Sequence, residues 1–115
     1  KAEVVVVEGR NKGYSVPVAR ECTIGRDPSC ELQIFDDRVS RRHCQLRGDP
    51  EGYLVEDLSS RNGTFVNEES VTRGRVFHLD IIRCGSTRMQ VLCPEFINPR
   101  KSGVDLTETG LGQSR

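Results

Sequence analysis

Three polar stretches of this chain hold residue types able to grip an oxyanion: Gly25-Arg26, Ser40-Arg41-Arg42-His43 and Arg61-Asn62-Gly63-Thr64. Arginine presents a planar fork of N–H donors to adjacent oxygens, serine offers one rotatable hydroxyl, and a carboxamide donates and accepts at once. The densest stretch, Asp36 to His43, is pinned between two runs of strand character, residues 31–34 and 44–47. Alone, that loop reads as a solvated basic turn, and a single Gly-Arg or Asn-Gly is common in β proteins. The order and spacing of the three stretches give them weight.

Catalytic chemistry has little to stand on. His43 adjoins Cys44, but neighbours along a strand face opposite ways and make no nucleophile–base pair. His78 has no serine or cysteine close in sequence. No paired carboxylates, phosphate-cradling glycine loop with lysine, or metal cluster appears, so the chain reads as a non-enzyme without metal or cofactor.

The 17 basic and 17 acidic residues cancel, so phosphate recognition has to be local. Arg38, Arg41 and Arg42 form a small basic cluster, but the sparse aromatics and charge balance argue against nucleic acid as partner. The Val4–Val7 run is far too short to span a bilayer, which leaves no membrane partner. The five cysteines, Cys22, Cys30, Cys44, Cys84 and Cys93, are odd in number and show no Cys-x-x-Cys spacing. Reduced thiols are the expectation, and with them an intracellular setting, cytoplasmic or nuclear. Asn62-Gly63-Thr64 then matches a glycosylation signal only formally. With no methionine at its start, the chain is expected to be one domain of a longer protein.

The elements that must position these loops are short strands. Strand character covers residues 3–8, 14–18, 22–24, 32–34, 44–47, 53–57, 64–66, 80–84 and 87–93, with short pieces near Val71 and at Val76–Phe77. Hairpin chemistry appears at residues 10–13, 48–52 and 85–86, and Pro17 confines its strand to an edge or a bulge. No window shows a helical period. Roughly ten strands with frequent turn signals predict an all-β chain, an antiparallel β-sandwich. The sandwich is expected to occupy residues 1–93, and residues 94–115, rich in proline, glycine and small polar residues, to form a linker or disordered tail.

Gly25-Arg26, Ser40-x-x-His43, Asn62-Gly63-Thr64 and Asn67, in this order, resemble the forkhead-associated (FHA) domain over about residues 2–93. The resemblance implies a SMAD/FHA-like sandwich of about eleven strands whose loops at one end bind phosphothreonine peptides. It implies phosphate binding by Arg26, Ser40 and Arg41, and peptide binding by Arg61 and Asn62. Arg26 would make the ionic contact, Ser40 would donate its hydroxyl, and Arg41 its backbone N–H, its side chain or both. Gly25, His43, Gly63, Thr64 and Asn67 are expected to support the loops. The sequence departs from the family where Leu79-Asp80 replaces a usual Gly-Asp, and where no glycine follows Asn67.

The implied partner is a phosphothreonine-containing protein or peptide, with a Ser/Thr kinase upstream, in phosphorylation-dependent signalling. The alternative is a phosphate-independent interaction module on the same fold. Thr107 and Thr109, beside acidic residues, raise a further expectation of self-association through a phosphorylated tail, set against a plain linker.

Overall fold

The computed structural model describes residues 2–100. Alternating apolar residues on short runs give eleven strands: β1 (Ala2–Glu8), β2 (Ser15–Val18), β3 (Glu21–Gly25), β4 (Leu32–Gln33), β5 (Cys44–Asp49), β6 (Gly52–Asp57), β7 (Thr64–Val66), β8 (Glu69–Val71), β9 (Arg73–Val76), β10 (Ile81–Cys84) and β11 (Thr87–Leu92). They form two sheets, in the orders β2-β1-β11-β10-β7-β8 and β4-β3-β5-β6-β9. The all-β sandwich anticipated from the turn spacing is the fold observed. One pair departs from the antiparallel rule: β3 and β4 run parallel, with Ile24 beside Leu32.

Inward residues of both sheets make one core, including Val4, Val6, Ile24, Leu46, Val55, Ile82, Met89 and Val91, all essentially inaccessible to water. Pro17, lacking an N–H, lies in β2 at the edge of its sheet, where it costs no ladder bond. Tyr14 falls outside that strand and is exposed, contrary to the expected alternation with Val16 and Val18. The pieces sensed near Val71 and Val76 are two strands, β8 and β9, separated by Thr72 alone, where the chain leaves one sheet for the other. All five cysteines are free and buried. Among the described residues no helix is long and apolar enough to cross a membrane.

Packing runs past position 93. Phe96 sets its ring edge-on to Tyr53 at 5.9 Å between centroids, and its carbonyl accepts the His78 N–H at 2.9 Å. A single aromatic after Pro94 carries no periodic signal, so the sequence boundary falls short of the packed chain. Residues 101–115, with Thr107 and Thr109, lie outside the described residues.

The departures at Leu79 and after Asn67 have a common backbone basis. Asn67 and Glu68 both have positive φ, 50° and 69°, and join β7 to β8 as a two-residue turn of the type that favours Asn-Gly. Leu79 has φ 75°, where glycine is the unstrained residue.

Candidate functional site

Three loops meet at one end of the sandwich: the chain leaving β3 at Gly25, the β4–β5 loop, and the β6–β7 loop. Their meeting is enforced at the backbone. Arg26 N–H donates to the Ser40 carbonyl at 3.1 Å, Asp27 N–H to the Arg41 carbonyl at 3.0 Å, and His43 N–H to the Ile24 carbonyl at 2.8 Å. Gly25 is required by this closeness, because a Cβ there would lie 2.1 Å from the Arg41 carbonyl oxygen, well inside contact distance.

Side chains complete the join. Arg26 Nε donates to the Val39 carbonyl at 2.6 Å, which spends one donor of the guanidinium and leaves both terminal nitrogens without a partner among the described residues. Ser40 Oγ accepts the Arg61 N–H at 3.0 Å, so its own O–H remains available. Asn62 Nδ2 donates to the Arg38 carbonyl at 2.8 Å, leaving its Oδ1 without a partner among the described residues. The side chains of Arg41 and Arg61 are exposed and likewise unpartnered there. On a chain of zero net charge, Arg26, Arg38, Arg41, Arg42 and Arg61 lie on or beside these loops together with Asp27, Asp36, Asp37 and Asp57, so charges of both signs gather at this end.

His43 is fully buried beneath these loops. Its Nδ1 accepts the Ser40 N–H at 3.0 Å, which leaves Nε2 as the protonated nitrogen, 2.8 Å from the Gly63 carbonyl that accepts from it. One imidazole thus ties the β4–β5 loop to the β6–β7 loop, with both nitrogens spent. Cys44 turns the other way, its thiol 3.7 Å from that of Cys84. Hydrogen bonding to Cys84, together with burial, raises the Cys44 thiol well above the ordinary range, far from a nucleophile's requirement.

Asp57, to which the sequence reading assigned no role, organises the third loop. Its carboxylate accepts the Thr64 hydroxyl at 2.7 Å, the Ser60 N–H at 3.1 Å and the Ser60 hydroxyl. Ser60 Oγ in turn accepts the Gly63 N–H at 2.9 Å. Burial alone would raise the Asp57 carboxyl, but the Ser60 and Thr64 hydroxyls and the Ser60 N–H hold it below the usual range. Asp36 plays the matching part beside the β10–β11 turn, accepting the Ser86 N–H and the Thr87 hydroxyl at 2.9 Å each. The Asp57-x-x-Ser60 spacing was the available signal, since a carboxylate that far ahead of a serine favours a side-chain-closed turn.

Asn67 lies away from the three loops. Its Nδ2 donates to Asp80 Oδ1 at 3.1 Å and its Oδ1 accepts the Ile81 N–H at 3.0 Å. Thr64 is buried at the start of β7. Gly63 has φ 88°, a conformation that favours glycine.

Known proteins share this arrangement. The family model of the FHA domain matches residues 22–85. The chain is 36% identical over 92 residues to an oxoglutarate dehydrogenase inhibitor of Corynebacterium jeikeium, covering 79% of this chain and 64% of that protein. It is 33% identical over 110 residues to the glycogen accumulation regulator GarA of Mycobacterium tuberculosis, covering 95% of this chain and 65% of the relative. It thus spans a little under two thirds of the length of these relatives. Among solved structures, the FHA domain of FhaA complexed with an intracellular domain superposes with a TM-score of 0.73 at 29% identity, over 79% of this chain and 99% of that one. Another, from work on phosphothreonine-dependent FHA domain interactions, gives 0.70 at 30% identity, over 80% of this chain and 95% of that one. With its loops joined through Gly25, His43 and Asn62, and with these relatives, the chain belongs to the FHA domain family.

Proposed function

We propose that this domain recognises phosphothreonine peptides and so mediates phosphorylation-dependent association between proteins. The observation that carries the reading is the set of polar groups left unspent among the described residues where the loops join: the terminal nitrogens of Arg26 and the Ser40 hydroxyl as donors, and the carboxamide oxygen of Asn62 as an acceptor. A phosphothreonine brings about −1.5 to −2 charges and three acceptor oxygens. Arg26 takes two of those oxygens through parallel N–H donors. Ser40 donates its hydroxyl to a third, and Arg41 adds its side chain or N–H from the adjoining position. Arg61 lies over the peptide, and Asn62 Oδ1 accepts a peptide N–H. Gly25, His43, Gly63 and Thr64 hold these loops in place, while Asn67 fixes the β7–β8 turn against Asp80 and Ile81.

Charge-assisted hydrogen bonds contribute about 1.5–3 kcal/mol each. Three or four of them, less the cost of ordering a flexible peptide, correspond to roughly micromolar affinity. The partner is a protein marked by a Ser/Thr kinase, and the domain itself is non-catalytic. Its free, buried thiols suit the reducing interior of a cell, cytoplasm or nucleus.

An oriented phosphothreonine peptide library, probed with the wild-type domain and with Arg26→Ala, tests the reading. Selection of phosphothreonine peptides by the wild type alone, abolished by phosphatase, is the expected result. Equal capture after phosphatase treatment would make this a phosphate-independent module instead.

A further inference from the structure

The outer face of the six-stranded sheet carries a groove of about 470 Å³ lined by Ala2, Glu3, Pro17, His78, Leu92 and Pro94. Strand register builds it. Glu3 of β1 stands opposite Pro17 of β2 on one side and Leu92 of β11 on the other, and alternation turns all three away from the core that holds Val4 and Val91. In the next row Val5 lies beside Gln90 and Gln90 beside Ile81, and the half-buried Val5 and Ile81 continue the apolar surface. β1 runs from Ala2 in this groove to Glu8, and Gly9 beyond it lies against Thr87, whose hydroxyl donates to Asp36 of the β4–β5 loop. A strand length, about 20 Å, thus separates the groove from the phosphate loops.

The polar groups of the groove are fixed and unspent. His78 Nδ1 accepts the Cys93 N–H at 3.0 Å, and its own main-chain N–H donates to the Phe96 carbonyl at 2.9 Å. Nε2 is therefore the protonated nitrogen, a donor without a partner among the described residues. Glu3 is exposed, and its carboxylate likewise has no partner there. Farther up the same face the charges of β10 and β11 are matched, Arg83 with Glu68 and Arg88 with Glu8 and Glu68. Leu79, next to His78, borders the same face, since its carbonyl accepts Gln90 Nε2 at 3.1 Å. It has φ 75° and is 52% exposed. Glycine takes that conformation without strain, so an exposed leucine held there points to a contact made outside the domain.

We infer that this groove docks a short segment of a partner protein, with an aliphatic side chain against Pro17, Leu92 and Leu79 and a Lys or Arg on the Glu3 carboxylate. Charge sets the occupant. Among the described residues Glu3 is the groove's only formal charge, so a basic segment is matched and an acidic one repelled. Neutral His78 donates from Nε2 to a main-chain carbonyl of the segment. Pro17 has no N–H to offer at the free edge of β2, so the segment docks through its side chains and adds no strand. The inference goes beyond the phosphothreonine reading and does not depend on it.

The test is an NMR titration of the backbone amides with short Ser/Gly peptides that carry one leucine and, at each other position in turn, one lysine. The amides of Glu3, His78 and Leu92 are expected to shift. A leucine–lysine peptide should bind about two- to five-fold tighter than its leucine–serine counterpart, the range of an exposed ion pair. Serine in place of the leucine should weaken binding at least about ten-fold. Glu3→Lys turns the preference from lysine to glutamate. Leu79→Gly weakens docking about five-fold, the loss of part of one apolar contact, and leaves the amides of Arg26, Ser40 and Asn62 unmoved. The inference is overturned if no peptide shifts the groove amides, if the shifts fall on the phosphate loops, or if the lysine preference survives Glu3→Lys. Shifts at the groove amides that appear on concentrating the domain alone, and vanish in Leu79→Gly, would make the occupant a second copy of this chain and also overturn it.

Discussion

Ser40 Oγ accepts the main-chain N–H of Arg61 across 3.0 Å, between loops 21 residues apart. The bond gives one hydroxyl two duties. Its acceptor side anchors the β6–β7 loop, and its donor side is the one the proposed phosphate would take. Accepting that bond also polarises the O–H as a donor. Ser40→Ala removes both at once. Phosphopeptide affinity is expected to fall at least about ten-fold, the loss of one charge-assisted hydrogen bond. Stability should fall by no more than about 1.5 kcal/mol, because Ser40 is only half-buried. Calorimetric titration beside thermal unfolding separates the two effects.

His43 differs in kind. Its ring is buried and both nitrogens are spent on Ser40 and Gly63. His43→Ala leaves a cavity and two unsatisfied backbone groups, a loss of about 3–5 kcal/mol. Unfolding in urea should show the deficit with no ligand present, and binding should weaken as a consequence. An unchanged midpoint with lost binding would instead make the imidazole a ligand.

At Gly25 the obstacle is backbone, which cannot swing aside as a side chain would. Gly25→Ala sets a methyl 2.1 Å from the Arg41 carbonyl oxygen, so β3 and the β4–β5 loop must part. The expected cost is about 1–3 kcal/mol, with peptide affinity falling in parallel. Arg26→Ala, one residue on, should lose affinity while its melting temperature moves little. The contrast between adjacent positions distinguishes an architectural residue from a binding one.

How far the sequence disclosed this site depends on the range of each interaction. Strand alternation is local, and residues such as Leu46 and Val91 advertised the sandwich through it. Arg26, Ser40 and Asn62 were legible because they lie in recurring short patterns. Asp57 left only a local trace, its spacing to Ser60, and Asp36 left none, since its partners Ser86 and Thr87, about fifty positions away, become apparent only once the loops close. The parallel β3–β4 pair was illegible for a similar reason, as two residues of strand carry no record of direction. Phe96 was missed because its contacts, on Gly52 and Tyr53, come from a distant hairpin.

Leu79 offers a gain. It adopts φ 75° with its side chain 52% exposed, while its N–H donates to the Val91 carbonyl at 2.7 Å. A left-handed conformation costs an L-residue about 1–2 kcal/mol, against about 0.5–1 kcal/mol for the greater entropy glycine loses on folding. Leu79→Gly keeps the backbone bond and should stabilise the domain by roughly 0.5–1 kcal/mol, a few degrees in Tm. Differential scanning calorimetry checks this, and a lower Tm would mean that the leucine side chain contributes packing that outweighs the strain.

Acid should loosen the third loop through Asp57. Hydrogen bonds from Ser60 and Thr64 depress its carboxyl despite burial, so its folded pKa lies below the unfolded value of about 3.9. A group depressed in this way contributes stability that is fully present above the unfolded pKa and lost as pH falls through the folded one. Asp36 is depressed likewise: its own burial acts the other way, but the Arg38 and Ser86 N–H groups prevail. Asp57→Asn should therefore remove part, not all, of the stability lost on acidification from about pH 5 downward. Peptide affinity is the wrong readout, because the phosphate takes up its second proton near pH 6. Unfolding free energies of the free domain, measured from pH 7 to pH 3 for wild type and Asp57→Asn, isolate the carboxylate. Parallel curves for the two proteins would show that Asp57 has the same affinity for a proton in the folded and unfolded chains, and that its hydroxyl partners do not stabilise the charge.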